Sequence, residues 1–347
     1  MLPYWIELPL MTLIYFFIYL TVPLLGILAL IVELLKKLVR WIRIEINEDK
    51  VVIITGCDSG FGYRIVTKCL EKGFTVMAGC YTKEGLAYWN SESTKFEPKR
   101  LVPFKVDITS QEDVDKALEM VESFGKCKEK GIWALINNAG IKQSYPDEWL
   151  SIEDYQDMFV TNCFGHIRMT HSFRHLLKKG KGRIIFMNSH ISQQTGPDAN
   201  PYGSSKAALA NYASTIRHEL AGAVKVITIY PGFHGNRFQD VPDYMASYEN
   251  KWVQQPESTK LAYSKSFFKK RYQFRKVVLF LLHLGNRVDE VSNAVLTAIS
   301  ARFPNTNYWL GFDGNFSMLI SCFPESTNVF LWRILRHVFF DYLKPMP

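Results

Sequence analysis

Val51-Val52-Ile53-Ile54 runs directly into Thr55-Gly56-Cys57-Asp58-Ser59-Gly60-Phe61-Gly62, after which Ile65, Val66, Cys69 and Leu70 recur at helical spacing. A short β-branched run of this kind reads as a buried strand, and the periodic segment as a helix. Glycines at the turn between them let the backbone approach a ligand. The start of the helix adds unpaired N–H groups and the positive end of its dipole. The unit therefore reads as a pyrophosphate cradle. A ligand-free glycine turn is the plainer alternative, and the strand before and helix after weigh against it.

A second strand follows, Phe74 to Cys80. In dinucleotide-binding folds an acid about twenty residues beyond the glycines holds the ribose hydroxyls. Here Cys80, Tyr81, Thr82 and Lys83 stand at that strand end, and the next acid is Glu84. Lys83 either pairs with a 2′-phosphate, which favours NADP, or is a solvated loop lysine. Strands alternate with helical patterns from residue 51 to about 310 of the 347, without a linker. That alternation predicts an α/β fold, one doubly wound parallel sheet covered by helices on both faces.

Far downstream, Tyr202-Gly203-Ser204-Ser205-Lys206 sets a phenol and an ammonium four residues apart, with Ser189 thirteen residues before the tyrosine. Residues four apart share a helix face. An ammonium close to a phenol favours the phenolate and lowers a pKa that is ordinarily about 10. Ser189 ends the apolar strand Arg183 to Met187, where its hydroxyl can hold a substrate oxygen. Taken alone the pair is commonplace; the constellation suggests proton transfer coupled to hydride chemistry.

These motifs together resemble the short-chain dehydrogenase/reductase family, over residues of about 50–310. The resemblance implies a Rossmann fold and a catalytic set of Ser189, Tyr202, Lys206 and Asn162. The asparagine lies in Thr161-Asn162-Cys163-Phe164-Gly165 and implies support for a water linked to the lysine. It further implies cofactor contacts from Thr55, Gly56, Ser59, Gly60, Phe61 and Gly62, and from Tyr81, Lys83 and Asp107, the last in Val106-Asp107-Ile108. Asn138-Ala139-Gly140, Lys206 and Pro231-Gly232 complete that set. Phe233-His234-Gly235-Asn236 departs from the pattern, since a threonine usually follows the Pro-Gly pair. Asn188 stands where a second serine is common, and His190 is either a substrate contact or a loop-packing residue. Ile54 to Gly62, Ala78-Gly79-Cys80 and Trp133 to Ile141 are most similar to the branch of retinol, hydroxysteroid and 3-hydroxybutyrate dehydrogenases. Members of that branch mostly use NAD, so NAD is the expected cofactor and NADP the alternative. No metal ligand is expected, and the family resemblance allows a homodimer.

From Leu8 to Val32 the chain carries no charged residue. About twenty apolar residues span a bilayer core, and the absence of Lys or Arg before the run argues against a cleaved signal. Residues 1–35 are expected to form a transmembrane anchor and 36–49 a basic juxtamembrane linker. Lys36, Lys37, Arg40 and Arg43 place the catalytic domain on the cytosolic side, at the endoplasmic reticulum. Six cysteines without a paired pattern agree with a reducing compartment. The sequon Asn315-Phe316-Ser317 is discounted as a chance match.

The formal charge of +8 does not call for nucleic acid. Lys265, Lys269, Lys270, Arg271, Arg275 and Lys276 are interleaved with aromatic residues, which suits either an anionic membrane surface or a helix with one wet face. Residues near 233–285 interrupt the alternation, and the family resemblance implies that they form a substrate lid. Residues 311–347 are expected to be membrane-associated or to line the substrate entrance. An aromatic lid beside a membrane points to a lipophilic alcohol or ketone, a steroid, sterol or retinoid, rather than a 3-hydroxy acid. The acid would need a Lys or Arg in the pocket, with Lys142 and Arg237 the candidates. A non-catalytic membrane protein with the same fold is the remaining alternative.

Overall fold

The computed structural model describes residues 42–96, 100–193, 198–234, 241–262 and 288–324, with single helical positions between 12 and 35, at 273 and between 326 and 330. The chain divides into two compact units, residues 1–45 with 300–304, and residues 46–299 with 305–347.

The larger unit is built on seven strands: β1 (Val51–Thr55), β2 (Thr75–Cys80), β3 (Leu101–Lys105), β4 (Ala134–Asn137), β5 (Arg183–Met187), β6 (Lys225–Pro231) and β7 (Asn307–Leu310). Their order in the sheet is β3-β2-β1-β4-β5-β6-β7, and every neighbouring pair is parallel. From β1 the chain winds outward to β3, returns to β4 on the other side of β1, and winds outward again. The reversal between β1 and β4 opens a crevice beyond the C-terminal strand ends, where open α/β sheets bind their ligands. Helices connect the strands: α1 (Gly60–Glu71), α2 (Lys83–Ser93), α3 (Gln111–Ser123), α4 (Gly125–Lys130), α5 (Ile152–Phe159), α6 (His166–Lys179), α7 (Tyr202–Glu219), α8 (Val241–Val253), α9 (Glu257–Ala262), α10 (Val288–Ser300) and α11 (Phe312–Ser321).

The continuous apolar reading of β1 follows from its two buried faces. Val52 and Ile54 pack with Ile65 and Val66 of α1 and Val291 and Val295 of α10. Val51 and Ile53 face the other way, onto Val114 and Val121 of α3 and Phe173 and Leu177 of α6. Each such aliphatic side chain, fully buried, contributes about 1.5–3 kcal/mol, which makes β1 a spine for both layers. Caps set the helix starts. Ser110 accepts from the Asp113 N–H ahead of α3, and Ser151 and Asp154 form a reciprocal capping box on α5.

Arg183 is a charged residue at the start of a core strand, and it is buried. Its guanidinium stacks 4.1 Å from the Trp133 ring centroid and donates to the carbonyls of Ala298 and Ile299, at 2.9 and 2.8 Å. It thus satisfies the open C-terminal carbonyls of α10 and complements the negative end of that helix dipole. Burial lowers its pKa to about 10.

Two segments flank the sheet domain. Ile46 packs against the core, and Asp49 pairs with Lys130 at 2.6 Å, so residues 46–49 belong to the folded unit rather than to a linker. Residues 312–321 likewise form a helix of that unit. The sequon lies within this helix: Ser317 is buried and the Asn315 amide donates to the Gly311 carbonyl at 2.8 Å.

In the smaller unit the described positions between 12 and 35 are helical and exposed, Phe16 at 69% and Tyr19 at 78% among them. Among the described residues no helix is long and apolar enough to cross a membrane. Most of the expected lid, including Asn236, Arg237 and the basic aromatic run 265–284 apart from position 273, lies outside the described residues, as does 331–347.

Candidate active site

The glycine loop between β1 and α1 is shaped by close approaches. Gly56 has φ +69°, and a Cβ there would stand 2.7 Å from Ala139 Cα. A Cβ on Gly62 would meet the Gly56 carbonyl oxygen at 2.1 Å. Gly60 has φ +60° and open space where its Cβ would be, so its backbone stays accessible. Ser59, the N-cap of α1, makes no side-chain cap, and the first turn carries no acid. The N–H groups at this helix start therefore face the crevice, the arrangement that suits a pyrophosphate.

Thr55 locks this loop to the next one. Its hydroxyl accepts from the N–H groups of Asn138 and Ala139, both at 3.1 Å. The Asn138 amide donates back to the carbonyls of Thr55 and Gly56, at 2.9 and 3.1 Å. A third clamp is His166, buried at the start of α6, whose Nε2 lies 2.6 Å from the Ala139 carbonyl oxygen. Burial lowers its pKa to about 3, so the ring is neutral and Nε2–H is the donor.

A cleft of about 660 Å³ opens above these loops, within the size range of small-molecule sites. Gly56, Ser59, Gly60 and Phe61 line one end with Tyr81 and Asp107. Asn138, Ala139 and Gly140 line the middle, and Ser189, Tyr202, Lys206, Pro231 and Gly232 the other end. Three of the expected cofactor residues stand apart from the lining. Thr55 acts through Asn138 and Ala139, Gly62 packs beneath Gly56, and Lys83 is exposed in the first turn of α2. The cradle, uncapped helix start and cleft size fit a nicotinamide dinucleotide.

At the far end, the Ser189 and Tyr202 side chains both line the cleft. Asn188 fastens the two segments that carry them. Its side-chain oxygen accepts from the Ser189 N–H at 2.8 Å and its amide donates to the Lys206 carbonyl at 3.1 Å. The Lys206 ammonium donates to the Met187 carbonyl at 2.8 Å and lies 5.9 Å from the Tyr202 ring centroid. Asn162 sits behind it in a single π-helical stretch, Val160–Gly165, the kind of helix defect often found at functional sites. Asn162 exchanges two hydrogen bonds of 2.9 Å with the backbone of Ile141 and donates to Ser205 at 3.2 Å. It does not line the cleft; it props the loop that does.

The titrations differ from the simple expectation for a phenol beside an ammonium. Burial pushes Tyr202 up to about 12, against a lowering effect of the Ser189 hydroxyl. Burial also brings Lys206 down to about 8, opposed by the neighbouring Cys163 thiol. Desolvation outweighs mutual assistance because Lys206 is buried and Tyr202 is half-buried. The phenol is thus protonated at neutral pH and set to donate to a carbonyl oxygen held by Ser189.

His190 both packs in its loop and lines the cleft. Its Nδ1 lies 3.1 Å from the Pro231 carbonyl oxygen, and its Nε2 is 3.8 Å from Asp313 on α11. Burial lowers its pKa, so it is neutral at pH 7. Asp313 also accepts from the Phe233 N–H at 2.6 Å and presses against Gly232, where a Cβ would be 2.0 Å from its Oδ1. Asp313, His166 and Asp58 escaped sequence reasoning. Asp58 sits inside the glycine motif itself, so its signal was present; the other two are isolated residues whose partners are distant in sequence.

The family model for short chain dehydrogenases matches residues 50–240. Among similar proteins, the mitochondrial D-beta-hydroxybutyrate dehydrogenase of Rattus norvegicus is 32% identical over 268 residues, covering 75% of this chain and 76% of that protein. The 17-beta-hydroxysteroid dehydrogenase type 6 of Bos taurus is 31% identical over 300 residues, covering 84% and 92%. Of solved structures, a short chain dehydrogenase from Burkholderia cenocepacia in complex with NADP superposes with a TM-score of 0.61 at 24% identity, covering 82% of this chain and 98% of that one, which speaks to the fold. A glycine cradle at the switch point and a Ser-Tyr-Lys set at the opposite end of one cleft agree with the sequence match: the chain belongs to the short-chain dehydrogenase family and is an NAD(P)-dependent oxidoreductase.

Proposed function

We propose that this protein is a membrane-anchored dehydrogenase of lipophilic alcohols and ketones, of steroid, sterol or retinoid type, working at the cytosolic face of the endoplasmic reticulum. The observation that carries the chemistry is that Ser189, Tyr202 and Lys206 line the same cleft as the glycine loop. The nicotinamide, when bound, supplies or takes up the hydride. Ser189 holds the substrate oxygen, and Tyr202 gives its proton to that oxygen in reduction or takes it in oxidation. Lys206, fixed on Met187, places a positive charge behind the phenol and favours the phenolate as it forms. Asn162 keeps Gly140 and Ile141 in place beside the lysine. The uncharged stretch from Leu8 to Val32 supports the anchor, and the hydroxysteroid dehydrogenases among the relatives support the substrate class. Phe312, Phe316 and Leu319, exposed on α11, support a role for that segment at an apolar entrance, and a homodimer is consistent with the family.

One observation favours a second reading. The Lys142 ammonium lines the cleft, 5.6 Å from the Tyr202 ring centroid and 5.1 Å from that of Phe233. A cation there suits the carboxylate of a 3-hydroxy acid, and hydroxybutyrate dehydrogenases are among the relatives. Turnover by the detergent-solubilised protein, with NAD or NADP, against steroids, retinol and 3-hydroxybutyrate separates the two. The lipophilic reading expects steroid or retinol turnover that survives Lys142→Gln. Turnover of hydroxybutyrate alone, abolished by Lys142→Gln, would replace it with the hydroxy-acid reading.

A further inference from the structure

We infer that Asp58 selects the nucleotide, by accepting a free adenosine ribose hydroxyl and excluding a ribose that bears a 2′-phosphate. This rests on the dehydrogenase reading above and deepens it. Folds of this class usually hold the ribose with an acid at the end of the second strand. β2 instead ends in the buried Cys80, followed by Tyr81 and Thr82, and the next acid, Glu84, is exposed on α2.

The structure brings a carboxylate to that point from another direction. Asp58, in the middle of the glycine loop, reaches across to the β2–α2 turn. Its Oδ1 accepts from the Thr82 N–H and the Thr82 hydroxyl, both at 2.7 Å, and from the Tyr81 N–H at 3.1 Å. Its Oδ2 accepts from the Tyr81 N–H at 3.0 Å. Oδ1 is saturated, whereas Oδ2 takes one shared bond and keeps a lone pair for a further donor. Asp58, Tyr81 and Thr82 all line the cleft. The neighbouring helix is shaped around the carboxylate, since a Cβ on Gly85 would stand 2.5 Å from Asp58 Oδ1.

Two consequences follow for a ligand. A ribose hydroxyl is a donor, and Oδ2 is the acceptor placed to receive it. A 2′-phosphate needs the opposite: several donors and no anion nearby. The donors at this strand end, two N–H groups and one hydroxyl, are already engaged by Asp58, and the carboxylate itself repels a phosphate. Lys83, the cation that could have compensated, is exposed and does not line the cleft.

The test is equilibrium binding of NADH and NADPH to the full-length protein in detergent, read by tryptophan and nucleotide fluorescence. Competition by 5′-AMP and 2′,5′-ADP isolates the ribose end. The wild type is expected to prefer NADH by about tenfold or more, a modest share of the like-charge repulsion at contact distance. Asp58→Ser removes both anion and acceptor, and should raise affinity for NADPH and 2′,5′-ADP while weakening that for NADH and 5′-AMP. Asp58→Asn, which keeps the Oδ1 contacts to Thr82, should narrow the ratio without disturbing the turn and guards against misfolding of the serine variant. An unchanged NADH to NADPH ratio in folded Asp58→Asn, or a wild type that prefers NADPH, would overturn the inference alone. A wild type that binds neither nucleotide would overturn the dehydrogenase reading and this inference together.

Discussion

Replacing Lys206 by Met should abolish turnover and at the same time make the protein more stable at neutral pH. The ammonium is 4% exposed, and burial lowers its pKa from 10.5 to about 8. A fall of that size corresponds to about 3 kcal/mol by which the folded state disfavours the charged lysine. Methionine keeps most of the aliphatic stem and removes the charge. Against this, the Met187 carbonyl loses its 2.8 Å donor, at a cost of about 1–2 kcal/mol. The net expectation is a gain of about 1–2 kcal/mol, seen as a rise of a few degrees in melting temperature. The pH dependence isolates the charge. Between pH 8 and 10.5 the unfolded lysine still holds a proton that the folded one has shed, so wild-type stability gains from Lys206 as pH rises through that window. Lys206→Met lacks this gain, so its advantage should shrink with rising pH and reverse near pH 10.5, where the lost donor leaves it about 1–2 kcal/mol less stable. Calorimetric unfolding of both, full-length in detergent from pH 6 to 10.5, measures it. A variant less stable than wild type by more than 2 kcal/mol at pH 7, or a difference that does not change with pH, would refute the reasoning and make Lys206 a structural cation.

Tyr202→Phe removes the proton donor and leaves the ring in place. Turnover should fall by about 10²–10⁴-fold while NADH binding, followed by fluorescence, stays within about twofold because the nucleotide cradle lies elsewhere; a fully active variant would exclude Tyr202 as the acid/base. The proposed anchor predicts that the full-length protein stays in the membrane pellet after alkaline carbonate extraction and that a form starting at residue 42 is released. Release of the full-length chain into the supernatant would count against residues 1–35 as an anchor.

The most legible readings are those whose information is local. Val51 to Gly62 carries strand, turn and helix start within twelve residues, and each step follows from apolar periodicity, glycine conformational freedom and unpaired N–H groups. Tyr202 and Lys206 are close in the fold because one helical turn separates them, whatever the rest of the chain does. Asn162 was found through its motif, but its work, propping Ile141 and Ser205, appears only when a π-helical stretch meets α7. The protonation state of the catalytic pair went the other way from expectation. Spacing reveals that an ammonium is near a phenol, whereas desolvation depends on everything packed around them.

Asp58 shows the same division more sharply. In one dimension it is an acid among glycines, and the end of β2, twenty-two residues later, holds no acid at all. Only the parallel pairing of β1 with β2, Thr55 beside Gly79, sets the two turns side by side and lets the carboxylate reach Tyr81 and Thr82. Asp313 and His166 are likewise invisible until the sheet delivers α11 and α6 to the rim of the cleft. Sequence alone determined the fold class, the family and the candidate site residues, because these are written in short-range pattern. The protonation of those side chains, the loop clamps and the reach of Asp58 to Tyr81 and Thr82 were decided by tertiary structure, because each depends on burial or on partners that the chain meets only after it has wound twice around its sheet.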